Sequence, residues 1–352
     1  MLRPVLTLVL TLTILVGGSA GAQDLVLSRF AEYVESLRVQ SGIPGLAAAI
    51  VGTDDIIWER GFGRQDTERS LATRTDTPFH LDGLTQTITA ALVLRCVEEG
   101  RLSLDDRVSQ FKSNSPEPNT TLRQLLSHTS GPSTNLTFAY RLDRLEPLAR
   151  AVRTCTDDSF RETVTNLLDR LAMVDSVPGP DIVHPESLTE GIPDPSSVER
   201  YRASLERLAR PYSVDQRGNA SLSEYPAETL MPTGGLMASV HDLAQFDLAL
   251  KNDVLLRPET LAAAWQPVVG ANNRRLPHGL GWFVQTYNGE TIAWQFGVSS
   301  NASSALMVTV PARGVTLILL ANSDGLVKAY SPAAGDITVS PFVRLFLGLA
   351  LR

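Results

Sequence analysis

Strand-forming runs lie near both ends of this chain and helical patterning fills the stretch between them, so the fold must bring sequence-distant segments into one sheet. Toward the N-terminus, residues 46–51 and 56–60 are apolar runs around Gly52, Thr53, Asp54 and Asp55, the pattern of a hairpin. Toward the C-terminus, residues 281–285, a turn at Asn288-Gly289, and residues 291–295, 304–310 and 315–321 have the spacing of an antiparallel meander. Between these ends, a helix is predicted from near Asp82 to Glu99, where Gly100 stops it, and residues 122–173 read as mostly helical. Leu27, Phe30, Val34 and Leu37 give residues 25–40 helical spacing, and residues 340–351 form a closing amphipathic helix. The proline-rich residues 178–195 read as an exposed, mobile loop. The resulting plan is α+β: an antiparallel sheet from about residues 23–80 and 275–352, flanked by helices, with a helical region at about 81–274 inserted between its halves.

Composition narrows the function. A formal charge of -7 with no long Lys/Arg run leaves no electrostatic footprint for nucleic acid. Two cysteines exclude a disulfide scaffold and a Cys-rich zinc site; Cys96 and Cys155 are taken as free thiols, because spacing alone cannot bring two sulfurs together. The five histidines show no paired ligand spacing, so neither a metal nor a cofactor is expected. At the N-terminus, Arg3, the apolar residues 5–16 and the small-residue site Ala20-Gly21-Ala22 read as a signal peptide cleaved after Ala22, leaving Gln23 first. The run falls short of the about 20 residues that a spanning helix needs, so the expectation is an exported protein, periplasmic or extracellular, with no stable membrane span.

Several short motifs follow one another in order. They are Ile43-Pro44-Gly45-Leu46, Asp76-Thr77-Pro78-Phe79-His80-Leu81, Leu125-Leu126-Ser127-His128-Thr129-Ser130-Gly131, Gly234-Gly235-Leu236, Gly279-Leu280-Gly281-Trp282 and Leu320-Ala321-Asn322. In this combination the chain resembles the serine β-lactamase-like hydrolases, in particular the branch of class C β-lactamases, D-alanyl-D-alanine carboxypeptidases and esterases. The resemblance implies a β-lactamase/transpeptidase-like fold. It also implies acyl transfer by a serine at the start of a central helix, activated by a lysine one turn later.

The matching positions do not carry that chemistry. Gly83 stands where the resemblance places the serine, and Gln86 where it places the lysine. Glycine has no attacking atom, and a glutamine amide is not a base. The Tyr-x-Asn motif has its counterpart in Tyr140-Arg141-Leu142, where Leu142 cannot make the amide's hydrogen bonds. The Lys-Thr-Gly motif of the sheet edge corresponds to Gln295-Phe296-Gly297, where a neutral residue again replaces a cation. Taken singly, each change has an ordinary structural reading: Gly83 starts a helix capped by Asp82, Gln86 lies on a helix surface, and Gln295 lies within a strand. Together they predict an exported pseudoenzyme that keeps a cleft for a small-molecule or cell-wall-type ligand, with Gly83, Tyr140, Trp294 and Phe296 nearest to it; a protein partner is left open. The alternative is a hydrolase with weak or altered esterase- or peptidase-like activity, using water activated by Asp82 or Tyr140. His128 is expected to be a satisfied turn residue rather than a base.

Overall fold

The computed structural model describes residues 19–131, 136–226, 229–270 and 273–351. Most of the expected signal peptide, and residues 132–135 of the short loop after Gly131, lie outside the described residues. The helices are α1 (Ser19–Gln40), α2 (Thr85–Glu98), α3 (Leu122–Leu126), α4 (Pro147–Thr156), α5 (Phe160–Arg170), α6 (Pro195–Glu206), α7 (Val240–Lys251), α8 (Pro258–Ala264) and α9 (Pro341–Ala350). The strands are β1 (Gly45–Val51), β2 (Ile56–Asp66), β3 (Leu71–Ala72), β4 (Phe79–His80), β5 (Val177–Pro178), β6 (Tyr212–Val214), β7 (Ala220–Leu222), β8 (Leu236–Ala238), β9 (Phe283–Tyr287), β10 (Glu290–Ser299), β11 (Ser303–Val310) and β12 (Val315–Ala321).

The main sheet has seven strands in the order β3-β2-β1-β12-β11-β10-β9, and all its pairings are antiparallel. It unites the two chain ends through β1 and β12, from Leu46 opposite Ala321 to Val51 opposite Thr316. Asn322 fastens this seam from one buried position: its Oδ1 accepts from the Gly45 amide at 2.7 Å, and its Nδ2 donates to the Arg64 carbonyl at 3.1 Å. The meander is as the turn chemistry requires, since Asn288 and Gly289 both have positive φ between β9 and β10.

Strand alternation divides the core. Leu46, Ala48 and Ile50 of β1 pack with Phe30 and Val34 of α1 and Phe342 and Phe346 of α9. Ala47, Ala49 and Val51 face the opposite side, in the cluster that holds Ile88 and Val93 of α2, Leu148 of α4, Leu167 of α5 and Phe246 of α7. The sheet is thus sandwiched between the α1/α9 pair and the inserted helices, the β-lactamase/transpeptidase-like arrangement.

One expectation is corrected. The cysteines are not free thiols: Cys96 of α2 and Cys155 of α4 are disulfide-bonded, with their Cα atoms 6.0 Å apart. The packing of α2 on α4 brings the sulfurs together, a proximity that sequence spacing does not encode. The proline-rich stretch is exposed over much of its length, as expected, with Ile192 at 59%, and it is held to α5 near one end. The Arg161 guanidinium on α5 donates to both carboxylate oxygens of Asp181 at 3.1 and 2.7 Å, and Ile182 is fully buried.

The cross-link closes a loop over a sequence separation of 59 residues. For loops of that size, chain-entropy arguments give a stabilisation of about 4 kcal/mol. Urea unfolding of the Cys96→Ala/Cys155→Ala variant should show a loss of that order. A midpoint unchanged from the parent would mean that the bond does not form in solution.

Candidate functional site

The start of the central helix is set by two neighbouring backbone positions. Residues Asp82–Leu84 make one 3-10 turn before α2 begins. Asp82 adopts a left-handed φ of 47°, sparsely populated for a residue with a side chain. Its buried carboxylate accepts a hydrogen bond from Ser303 Oγ of β11 at 2.7 Å. The expected capping role is therefore corrected: the N-cap of α2 is Leu84, and no side chain caps it. On the facing strand, Gly297 permits a contact that no other residue would allow, because a Cβ there would meet the Leu81 carbonyl at 1.8 Å and the Gly83 nitrogen at 2.9 Å.

Gly83 itself is enclosed. A Cβ on it would lie 3.1 Å from the Phe296 carbonyl oxygen and 3.3 Å from both Leu142 Cδ1 and the Tyr140 hydroxyl. Those contacts are tighter than ordinary van der Waals spacing, so a side chain at this position would need the Phe296 carbonyl, Leu142 and Tyr140 to give by a few tenths of an ångström.

Gln86, one turn into the helix, is buried and not on the helix surface, and its hydrogen bonds can be assigned without ambiguity. The Arg141 N–H donates to His128 Nδ1 at 3.1 Å, so the neutral imidazole carries its proton on Nε2. That N–H donates to Gln86 Oε1 at 2.9 Å. The Gln86 amide nitrogen then donates to the Gly83 carbonyl at 3.0 Å and to the Tyr140 hydroxyl oxygen at 2.7 Å. Every hydrogen-bonding direction of the amide nitrogen is used. Burial pushes the Tyr140 hydroxyl far above its ordinary range, so it stays protonated. Burial, and after it the nearby His278, hold His128 well below the usual histidine value.

A second neutral pair lies beside the first. His278 Nδ1 donates to the Gly279 carbonyl at 3.0 Å, and its Nε2 faces the Gln295 amide nitrogen at 3.4 Å. Gln295 is fully buried and also donates to the Gly281 carbonyl at 3.2 Å. Burial depresses His278 to about 4. The ring of Phe138 stacks on His278, and Tyr140 stacks on Phe296 with centroids 5.3 Å apart. Trp294 is completely buried against Phe283, centroids 4.2 Å apart, and so presents no open face to a ligand.

The structure thus gathers Gly83, Gln86, Tyr140, Leu142, Phe296 and Gly297 at one point, with Gln295 beside them and Trp294 behind. One member, His278, escaped sequence reasoning, and another, His128, is the satisfied turn residue expected but has a further partner. His128 occupies a turn, with φ of 52°, but it also faces Gln86, and His278 supports Gln295. For His278 the available signal was its place directly before a motif already singled out, 279–282.

Comparison with known proteins agrees with this fold. The profile of the Beta-lactamase family matches residues 30–337. The protein Flp of Staphylococcus aureus (strain MW2) is 24% identical over 308 residues, covering 80% of this chain; the chain spans 60% of that relative's length. Among solved structures, an octameric penicillin-binding protein homologue from Pyrococcus abyssi superposes with a TM-score of 0.70 at 18% identity, covering 92% of this chain and 77% of that one. D-alanine carboxypeptidase AmpC from Burkholderia cenocepacia gives 0.67 at 18% identity, covering 89% and 99%.

The low pKa of His278 fixes a sign for pH dependence. Above about pH 6.5 the ring is neutral in both folded and unfolded chains and contributes nothing. As pH falls toward about 4, the unfolded chain takes up a proton that the folded site refuses, and stability drops. Relative to His278→Gln, the parent should lose roughly 3 kcal/mol of unfolding free energy over that interval. Parallel curves for the two proteins in denaturant titrations at several pH values would refute the assignment.

Proposed function

We propose that this chain, which belongs to the beta-lactamase family, is an exported pseudoenzyme: it has given up acyl transfer and acts by binding a ligand or partner. The observation that carries this reading is the state of Gln86, whose amide is committed to Gly83, Tyr140 and His128. Serine acyl transfer needs a nucleophile at position 83 and a proton acceptor in its reach. The chain offers a glycine and a saturated neutral amide.

Other hydroxyls do not fill the gap. Thr87 Oγ1 donates to the Leu84 carbonyl at 2.9 Å, and Thr85 is buried at 1% exposure. Water activation is disfavoured too, since Asp82 is buried on Ser303 and the Tyr140 hydroxyl holds its proton. The names of the relatives, a penicillin-binding protein homologue and a D-alanine carboxypeptidase, suggest a cell-wall-type ligand for a binding role. With Gly83 closed off, such a ligand would meet the outer surface of the Tyr140 and Leu142 segment rather than the helix start.

The direct test is mass spectrometry of the folded protein after treatment with a reactive β-lactam and with a fluorophosphonate. The expected result is no covalent adduct, and no turnover of a chromogenic cephalosporin or a short-chain ester above buffer. A stoichiometric adduct, or turnover abolished by one substitution at the site, would defeat the pseudoenzyme reading.

Restoring the missing pair should not restore the enzyme. In Gly83→Ser/Gln86→Lys, the new serine fits only if the Phe296 carbonyl, Leu142 and Tyr140 give by a few tenths of an ångström, and Leu142 still cannot orient a substrate. Positioning accounts for a large part of acyl-transfer rates. Turnover by the double variant should therefore stay within about tenfold of background, whereas further change of Leu142→Asn should raise it. Robust hydrolysis by the double variant alone would show that a working cleft persists.

A further inference from the structure

The C-terminal turns of α2 and α5, together with the Cys96–Cys155 bond, border a cavity of about 380 Å³. Three guanidiniums line it, those of Arg95, Arg101 and Arg170, in a chain whose formal net charge is -7. Glu99 is shared by two of them: its carboxylate accepts from Arg95 Nε at 3.1 Å and pairs with Arg101 Nε at 3.6 Å. Asp158, the other carboxylate of the lining, accepts from Asn166 Nδ2 at 3.4 Å. Arg170 has no ion pair and no hydrogen bond among the described residues, and Arg95 Nη1 is buried without a hydrogen-bond partner.

Like charges therefore crowd one cavity. Burial and, after it, the charge of Arg95 hold the Arg170 guanidinium below its ordinary value, with Glu99 opposing them. An arginine in the last turn of a helix commonly serves the carbonyl end, and both Arg95 and Arg170 stand in last turns. Neither guanidinium bonds a carbonyl among the described residues, so the helix ends do not account for this convergence.

The chemistry of the lining names its complement. The planar fork of arginine matches carboxylate and phosphate oxygens; a phosphate monoester brings close to two negative charges and three acceptor oxygens, where a carboxylate brings one charge and two oxygens. Two incompletely engaged guanidiniums, with Arg101 beside them, call for the larger anion. The volume lies in the range of small-molecule sites, and buried Leu92, Leu167 and the disulfide give an organic group an apolar wall. The exposed lining residues are Glu99, Arg101, Asn166 and Arg170, all polar, so the rim offers nothing to the acyl region of a bilayer and suits a ligand in solution.

We infer that this cavity binds a small, soluble phosphate monoester, with the phosphate between Arg95 and Arg170 and the organic group against Leu92 and Leu167. The cavity shares no residue with the acyl-transfer positions, so the proposal does not rest on the pseudoenzyme reading.

The test is calorimetric titration of the folded protein with phenyl phosphate at fixed ionic strength and about pH 7.5, above the second phosphate pKa of about 6. Phenyl phosphate should bind roughly tenfold more tightly than benzoate, which presents the same ring on a carboxylate. Arg170→Gln should weaken phenyl phosphate roughly tenfold, yet melt no lower than the parent in phosphate-free buffer, because it removes a like charge and no hydrogen bond. Arg344→Gln, at an exposed arginine outside the cavity, should bind as the parent does. Absence of binding by the parent, equal affinity for benzoate, or undiminished binding by Arg170→Gln would each overturn the proposal. So would co-sedimentation with vesicles containing phosphatidic acid that Arg170→Gln abolishes, because the phosphate recognised would then be a lipid headgroup.

Discussion

Everything in this molecule depends on the seam between β1 and β12. Six facing residues on each strand join segments from opposite ends of the chain, and the side chain of Asn322 extends that seam by bonding across to Gly45 and Arg64. Without the seam, the meander and the N-terminal hairpin would be two small sheets, each with an exposed apolar face. With it, one seven-stranded sheet has two covered sides, and the inserted helices acquire a floor. The position of the central helix follows, because Gly297 of β10 can approach its first turn so closely.

The site built on that floor is held together by neutral groups. A buried lysine beside a serine has to be desolvated and held close to neutrality, which costs several kcal/mol of folding free energy. Gln86 avoids that cost. Its neutral amide satisfies the same buried carbonyl and hydroxyl while His128 and Gln295 complete a polar layer without any charge. Leu142 and the stacked Phe138, Tyr140 and Phe296 extend the core over the same region. Neutral hydrogen bonding and aromatic packing thus stabilise the same small region.

Much of this was legible in the sequence, for identifiable reasons. The hairpin at Gly52 to Asp55 and the Asn288-Gly289 turn announce themselves because local turn chemistry determines them. The gathering of Gly83, Gln86, Tyr140 and Gln295 came from the resemblance, which supplies the spatial meaning that spacing lacks. What escaped was non-local or depended on burial. Nothing about residues 96 and 155 says that two helices pack with their Cα atoms 6.0 Å apart. A lone histidine such as His278 gives no sign that it lies behind a strand glutamine. Strand β10 runs on to Ser299, beyond the end suggested by its apolar run, because pairing with β11 continues through Ser299 and Ser303. Asp82 looked like a helix cap because aspartate usually is one there; the nearby Ser303 won its carboxylate instead.

The disulfide has a consequence for the entropy of folding. Its loop, residues 96–155, encloses His128, Tyr140 and Leu142, while Gln86 lies just outside it on the same helix as Cys96. Once the bond has formed, the segment that closes over Gly83 is leashed to α2 even while the rest of the chain is unfolded. Tyr140 and Gln86 are separated by 54 residues of chain; through the bond the connecting path falls to about 25 residues, a shorter loop to close. The tether thus lowers the entropic cost of closing Tyr140 and Leu142 over the helix start.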